Sequence, residues 1–453
     1  VTVAEAPRTF WVETLGCKVN AADSDRIAGS LMRRGLVRAG SAGEADLRVV
    51  NTCSVTMSAA AQSRSAARKA VSLPQIGGAE VGGVVAAGRH VIVTGCYATS
   101  HPEEAARIPG VSAVITHHDN LEQELTRHLA RLGLSRRYSL PLADEAPERQ
   151  ASRQRAFVKI QDGCDAHCTY CIIPNLRPRL SSLETREALQ QIGRLIEAGH
   201  QEIVLTGIFL GAYGQSTALR RRQGAARESL ASLVEAICRA FPKLPRLRLS
   251  SIEAGDLSEE LLAVLRSHGQ VVPHFHVPLQ SGSDAILRRM NRQYTRGDFL
   301  RLVDRLHGAF DRPALTTDIV TGFPGEDDGD FADTLSVVDH ARFLHVHAFP
   351  FSPRPGTAAA RWTEEFVPNA VATERVKELQ GRAQRHSLAF RRSFVGQRVR
   401  VIVEQGLSKS GHRHGRCERY FDVELPGMTA EPGSLIEVEV SEVTSEATTG
   451  VLR

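Results

Sequence analysis

The stretch GCDAHCTYC sets Cys164, Cys168 and Cys171 close together in a chain that has only eight cysteines. Thiolates grouped in this way are ligands for soft metals. The C-x-x-x-C-x-x-C spacing is not a zinc knuckle, because no fourth Cys or His follows at a suitable distance. His167 lies inside the motif and is expected to be a solvated loop residue. Nor is this a ferredoxin arrangement, which brings four thiolates to one cluster. Three thiolates on a four-iron cubane leave one iron open. That iron can chelate a small molecule through an amino and a carboxylate group.

Three further cysteines close strand-like apolar runs: TFWVETLGC ends at Cys17, ADLRVVNTC at Cys53 and RHVIVTGC at Cys96. Between them lie two helix-like segments, SDRIAGSLMRRG, with Ser24 as its expected N-cap, and SAAAQSRSAARKAV. Alternation of this kind implies a parallel sheet covered by helices. Ligands of open α/β sheets bind beyond the carboxyl ends of the strands. Cys17, Cys53 and Cys96 are therefore expected to converge at one rim, whereas any one of them alone would pass for a core thiol. Cys238, in EAICRAF, falls on the apolar side of a helix and is expected in the core. Cys417 is expected to be a spectator.

A polar, proline-containing stretch at 134–155 has the composition of a linker. After it, six more strand candidates alternate with helical segments: AFVKIQDG, EIVLTGI, RLRLSSI, HFHVPLQ, LTTDIVTGF and LHVHAFPF. Six βα repeats are too few for a closed eight-stranded barrel, so an open, partial (βα)6 barrel is expected. From about residue 396 the pattern becomes β only, in QRVRVIVEQ, ERYFDVELP and SLIEVEVSEV. Period-two alternation there predicts a small antiparallel β-barrel, an architecture that often binds oligonucleotides. The expected organisation is an α/β N-terminal domain over 8–133, a linker over 134–155, the partial barrel over 156–392 and the small β-barrel over 393–453.

Composition narrows the class. The chain has 453 residues, of which 42% are apolar, enough for sizeable cores, and its formal charge of +5 permits an acidic partner without requiring one. No apolar run reaches the length of a membrane span, and no secretory signal is expected. Eight cysteines are too few for a disulfide scaffold, so free or metal-bound thiols and a cytoplasmic location are expected.

S-adenosylmethionine (SAM) offers the amino and carboxylate pair that an open iron can chelate. One electron donated into its sulfonium cleaves a C–S bond and gives a 5′-deoxyadenosyl radical. GCDAHCTYCIIP resembles the radical SAM motif, including the aromatic Tyr170 before the third cysteine. TLGCKVNAADS, VVNTCSVT and TGCYA resemble the cluster-binding domain of the methylthiotransferases, and TTDIVTGFPGE and FPFSPRPGTAA resemble that family's later motifs. The C-terminal barrel is similar to its RNA-binding TRAM domain. The resemblance runs in order along nearly the whole chain. It implies two [4Fe–4S] clusters, one held by Cys164, Cys168 and Cys171 for radical formation and one held by Cys17, Cys53 and Cys96 for sulfur delivery. It also implies that Tyr170 lies against the adenine of SAM, and that SAM serves as both radical source and methyl donor. Gly207, Gln280, Ser281 and Asp318 stand at strand ends and are expected to contact SAM or substrate.

Lys18 in LGCKVN, together with NRQYTRGDFLRLVDRL and LHVHAFPFSPRPGT, resembles the branch that acts on threonylcarbamoyladenosine beside the tRNA anticodon. The resemblance thus implies tRNA as partner, with a sulfur donor and an electron donor such as flavodoxin or ferredoxin. Two alternatives stay open: the same chemistry on a ribosomal protein side chain, and a non-catalytic iron–sulfur RNA-binding protein. Pro178, in NLRPRLSS, stands where the family usually has Gly, and 74–88 and 215–227 are long insertions. Arg220, Arg221, Arg222 and Arg227 form one basic group. Arg382, Arg385, Arg391, Arg392, Arg398 and Arg400 form a second, which His412, Arg413 and His414 extend; both are candidate phosphate contacts. Asp327, Asp328 and Asp330 are expected in a solvated acidic loop.

Overall fold

In the computed structural model, residues 9–73, 90–132, 154–224 and 228–452 are described. The insertion at 74–88, nearly all of the linker and Arg227 lie outside them. Two compact units emerge, one of residues 1–145 with 172–178 and one of residues 146–171 with 179–453.

The first unit is built on β1 (Thr9–Thr14), β2 (Val37–Arg38), β3 (Leu47–Thr52), β4 (His90–Gly95) and β5 (Val111–Ile115). All pairings are parallel, in the order β2-β1-β3-β4-β5. β3 is buried along its full length, as a strand covered on both faces must be. Leu47 and Val49 pack on one face with Ile27, Leu31, Leu125 and Leu129, while Val50 packs on the other with Ala60, Ala67 and Tyr97. This is a doubly wound sheet. The chain leaves β1 toward β2 on one side and returns to β3 on the other, so the switch point falls between β1 and β3. The first helix runs Lys18–Met32, seven residues longer at its start than Ser24 as N-cap would allow. Ser24 lies buried within it, accepting from Thr14 Oγ1 (2.8 Å) and Asn51 Nδ2 (3.0 Å), so its hydroxyl ties helix to sheet rather than capping.

The second unit contains six parallel strands: β6 (Ala156–Asp162), β8 (Glu202–Gly207), β9 (Arg246–Leu249), β10 (His274–His276), β11 (Ala314–Thr321) and β12 (His345–Pro350). The short β7 (Ser181–Ser182) runs antiparallel along the edge of β6. Single bridges, Leu247 to Val271 and Ser251 to His276, link the β9 and β10 halves, and no ladder joins β12 to β6 among the described residues. The barrel is thus partial and open. Cys238 lies in its core, as expected.

A closed five-stranded barrel follows, made of β13 (Arg398–Val403), β14 (Arg413–Cys417), β15 (Asp422–Leu425), β16 (Leu435–Val443) and β17 (Thr448–Val451). One departure from the antiparallel expectation is the pairing of β15 with β17, which is parallel at Glu424 and Thr449. Cys417 is wholly buried in this barrel's core.

The small barrel is anchored to the amino ends of the large barrel's strands by buried charges. Glu202 accepts from Arg248 Nε (2.6 Å) and Arg246 Nη1 (3.2 Å). The same two arginines donate to the carbonyls of Arg400, Arg416 and Glu418. Burial opposes ionisation of Glu202, but Arg248 and Arg246 outweigh it and hold the carboxyl down to about 2. Its contribution is therefore complete above the ordinary carboxylate range and is lost only as the pH falls toward 2. Glu202→Gln leaves Arg248 buried without its carboxylate and Arg246 with Glu418 alone, at 3.7 Å, and is expected to cost about 3–5 kcal/mol, read as a lowered denaturant midpoint.

Candidate active site

Two sets of three cysteines lie at the carboxyl ends of parallel strands, one in each unit. In the first unit Cys17 is the N-cap of the helix that follows β1, Cys53 comes directly after β3, and Cys96 begins the helix after β4. They gather at the switch point of the sheet. Asn20 Nδ2 donates to the carbonyls of Leu15 (2.9 Å) and Thr52 (2.8 Å), clamping the ends of β1 and β3 together. Cys53 N donates to Ser63 Oγ (3.0 Å). Gly95 holds φ at +92°, and a Cβ there would lie 2.4 Å from Thr52 O, so only glycine lets Cys96 turn in beside Cys53.

Burial pushes the Cys96 thiol up to about 12, with Arg177 opposing and Cys17 and Cys53 adding to the rise. Arg177 is a residue that the sequence reading missed. It is buried in the first unit, where it donates to Asp23 Oδ2 (2.7 Å). His117, whose Nε2 stands 3.7 Å from Cys96 Sγ, was also missed. Its place two residues beyond the end of β5 was the available signal.

In the second unit the loop after β6 carries the other set. Gly163 has φ +82°, and a Cβ on it would overlap Arg179 O at 2.0 Å. Gly163→Ala is expected to cost more than about 1 kcal/mol, measured as a fall in the denaturant midpoint. Asp165 accepts from Thr217 Oγ1 (2.7 Å) and Ala218 N (2.6 Å), so the start of the 215–227 insertion braces the loop. Thr169 N donates to Met290 O (3.1 Å), and Asn291 Nδ2 donates to the carbonyls of Ala166 and His167. Ala166 N donates to Cys164 Sγ (3.4 Å) and Arg292 Nη1 to Cys168 Sγ (3.2 Å). Arg292 is itself paired with Glu253, and Glu253 with Arg220. Arg220 is thus a structural ion-pair partner rather than a free phosphate contact; Arg221 and Arg222 remain exposed.

The donor sets fit an iron–sulfur cluster. Burial pushes Cys164 up to about 12, so a thiolate there requires a cation beside it. Among the described residues no three cysteine sulfurs lie within 4.8 Å of one another, closer spacing being what one tetrahedral ion demands. The donors to the two sulfurs suit a cluster, whose properties depend on such hydrogen bonds.

The expected SAM contacts fall in two groups. Gln280 is buried at φ +64°, and its Oε1 has no hydrogen-bond partner among the described residues, a waiting acceptor that a polar cofactor can satisfy. Its backbone is bonded to β11 through Asp318 O and Val320 N. Tyr170 packs edge-on against Phe323 at 6.3 Å, beside Met290, Phe351 and Trp362. Gly207 closes β8 where a Cβ would press on Gln161, a packing reason for glycine. Ser281 is wholly buried, and its Oγ accepts from Ser283 N (3.2 Å). Asp318 pairs with His276 at 3.2 Å.

Other expectations change on the structure. Asp327 and Asp330 form a capping box on the helix Asp328–Ala341, and Asp328 pairs with Arg375, so the three build a helix terminus rather than a loop, although Asp327 and Asp328 are exposed as expected. Arg382 pairs with Asp339 and Arg398 with Glu437, whereas Arg391 is spent on the Ala447 carbonyl and Thr448. Arg385 and Arg392 are exposed. Among the described residues no helix is long and apolar enough to cross a membrane.

Residues 158–338 match the Radical SAM superfamily, and residues 9–116 match a family described as Uncharacterized protein family UPF0004. Two curated relatives are alike in identity. The threonylcarbamoyladenosine tRNA methylthiotransferase MtaB of Chlamydia pneumoniae is 34% identical over 99% of each chain. The tRNA-2-methylthio-N(6)-dimethylallyladenosine synthase of Anaeromyxobacter sp. (strain Fw109-5) is 34% identical over 98% of this chain and 95% of its own. Among solved structures, the radical S-adenosylmethionine methyltransferase TsrM of Kitasatospora setae shares the fold, with a TM-score of 0.54 at 14% identity over 78% of this chain and 77% of its own. By its full-length identity to these relatives and by its cysteine loop at the mouth of an open (βα)6 barrel, this chain belongs to the radical SAM methylthiotransferase family, transferases that work with a [4Fe–4S] cluster and SAM.

Proposed function

We propose that the chain adds a methylthio group to C2 of N6-threonylcarbamoyladenosine next to the anticodon of tRNA, using two [4Fe–4S] clusters. The observation that carries this reading is the division of six cysteines into two sets of three, each in its own unit and each at parallel-strand ends. Bound clusters and SAM would supply the one-electron chemistry, the sulfur and the methyl group that replacing an unactivated aromatic C–H bond requires. Cys164, Cys168 and Cys171 would hold the radical-forming cluster, and Cys17, Cys53 and Cys96 the sulfur-delivering one. Gln280 Oε1 would take a hydrogen bond from SAM. Tyr170, with the apolar wall of Met290, Phe323 and Trp362, would seat the adenine and exclude water. Asp165 and Arg292 hold the loop in place, which is the positioning that such chemistry needs.

Identity does not choose between the two tRNA substrates, since relatives named for each are equally close. Lys18, directly after Cys17, supports the threonylcarbamoyl branch. Exposed Arg385 and Arg392 and the small barrel support an RNA partner. A sulfur donor and an electron donor such as flavodoxin or ferredoxin would complete the cycle. Nucleoside mass spectrometry of tRNA from a strain lacking the gene is expected to show loss of the 2-methylthio-threonylcarbamoyl nucleoside. Loss of the dimethylallyl counterpart instead would overturn the substrate reading.

A further inference from the structure

The strands β10, β11 and β12 present two chemically different faces. Phe275, Leu315, Ile319 and Val346 join the core beneath the helices. The alternate positions, His276, Thr316, Asp318, His345 and His347, therefore line the opposite face, toward the interior of the barrel. In register, His276 stands beside Thr316 and Asp318 beside His347. One nitrogen or oxygen from each of His276, Asp318 and His347 lies within 4.8 Å of the others. His276 is fixed on both sides, its Nε2 3.2 Å from Asp318 Oδ2 and its Nδ1 3.0 Å from Thr316 Oγ1. The group adjoins the expected SAM contact, because Gln280 N donates to Asp318 O at 2.8 Å. On its other side His347 and His345 line a cleft of about 1060 Å³ whose walls carry Arg391, Lys409 and Arg416 together with Asp422, Glu424 and Glu446.

We infer that His276, Asp318 and His347 form the subsite for a polar, carboxylate-bearing substituent on the target base; this rests on the tRNA reading above. A threonylcarbamoyl group brings N–H and hydroxyl donors, a carbonyl and a carboxylate. Asp318, already balanced by His276, accepts from the donors. His347, which opens toward that cleft, donates to the carboxylate. A dimethylallyl group brings no donor or acceptor to these atoms. A site built for hydrogen bonds rejects an analogue that lacks them far more strongly than an apolar pocket rejects a misfit.

The test uses the reconstituted holoenzyme and three anticodon stem-loop RNAs that differ only at N6 of the target adenosine: threonylcarbamoyl, dimethylallyl and unsubstituted. Anaerobic binding constants are measured for wild type, His347→Phe and His347→Gln. Wild type is expected to prefer the threonylcarbamoyl RNA over the unsubstituted one. His347→Phe keeps an aromatic ring but removes the donor, and is expected to shrink that preference about 10- to 100-fold. His347→Gln keeps a donor and is expected to restore part of it. A general structural defect would weaken all three RNAs together and leave the ratio unchanged. Full preference in His347→Phe would overturn the subsite alone. A wild type that prefers the dimethylallyl RNA would overturn the substrate reading itself. Metal analysis supplies the remaining arm: one equivalent of tightly held zinc, lost in His347→Phe, would assign these atoms to a cation and overturn the subsite.

Discussion

Replacing Cys164, Cys168 and Cys171 together with alanine is expected to leave about half the iron of the anaerobically reconstituted protein and to abolish 5′-deoxyadenosine formation from SAM. The structure gives the reason for the first half of this result. The three thiols share one short loop whose fold is held by groups other than sulfur: Asp165 on Ala218, Thr169 on Met290 and Asn291 on two loop carbonyls. Their removal should therefore spare the fold, and it leaves untouched the cysteines of the other unit. Iron and protein are quantified on the same sample, and SAM cleavage is followed by chromatography. A triple variant that keeps all of its iron, or none of it, would show that the two cysteine sets are not independent sites.

The converse variant, Cys17→Ala, Cys53→Ala and Cys96→Ala, is expected to keep 5′-deoxyadenosine formation and to lose methylthio transfer to tRNA altogether. These thiols come from three separate strand ends and are gathered by the sheet, with Arg177 and His117 beside Cys96. None of them belongs to the loop after β6. The two readouts are separable in one reaction, because SAM cleavage and the mass of the modified nucleoside are measured independently. Production of methylthiolated tRNA by this variant, with its loop iron intact, would end the proposed division of labour between the two sets.

The amino-acid sequence by itself determined whatever depends on neighbours along the chain. The spacing of Cys164, Cys168 and Cys171 fixes a compact three-thiolate loop. The alternation of apolar runs fixes six barrel strands, each where its run predicts. Cysteines closing three such runs must come to one edge of a parallel sheet, because every strand of such a sheet ends on the same side. Tertiary structure decided everything that depends on what faces what. The β2-β1-β3 order, and with it the switch point beside Cys17 and Cys53, follows from which strands pair rather than from any local pattern. Arg220 looked like a phosphate contact until its partners Glu253 and Asp256, distant in sequence, were brought to it. Arg177 lies in a stretch between barrel strands yet belongs to the first unit, where burial demands that its charge be met by Asp23. His276, Asp318 and His347 carry no motif as a set; they meet because three adjacent strands pair in one register, and strand geometry turns alternate side chains to the same face.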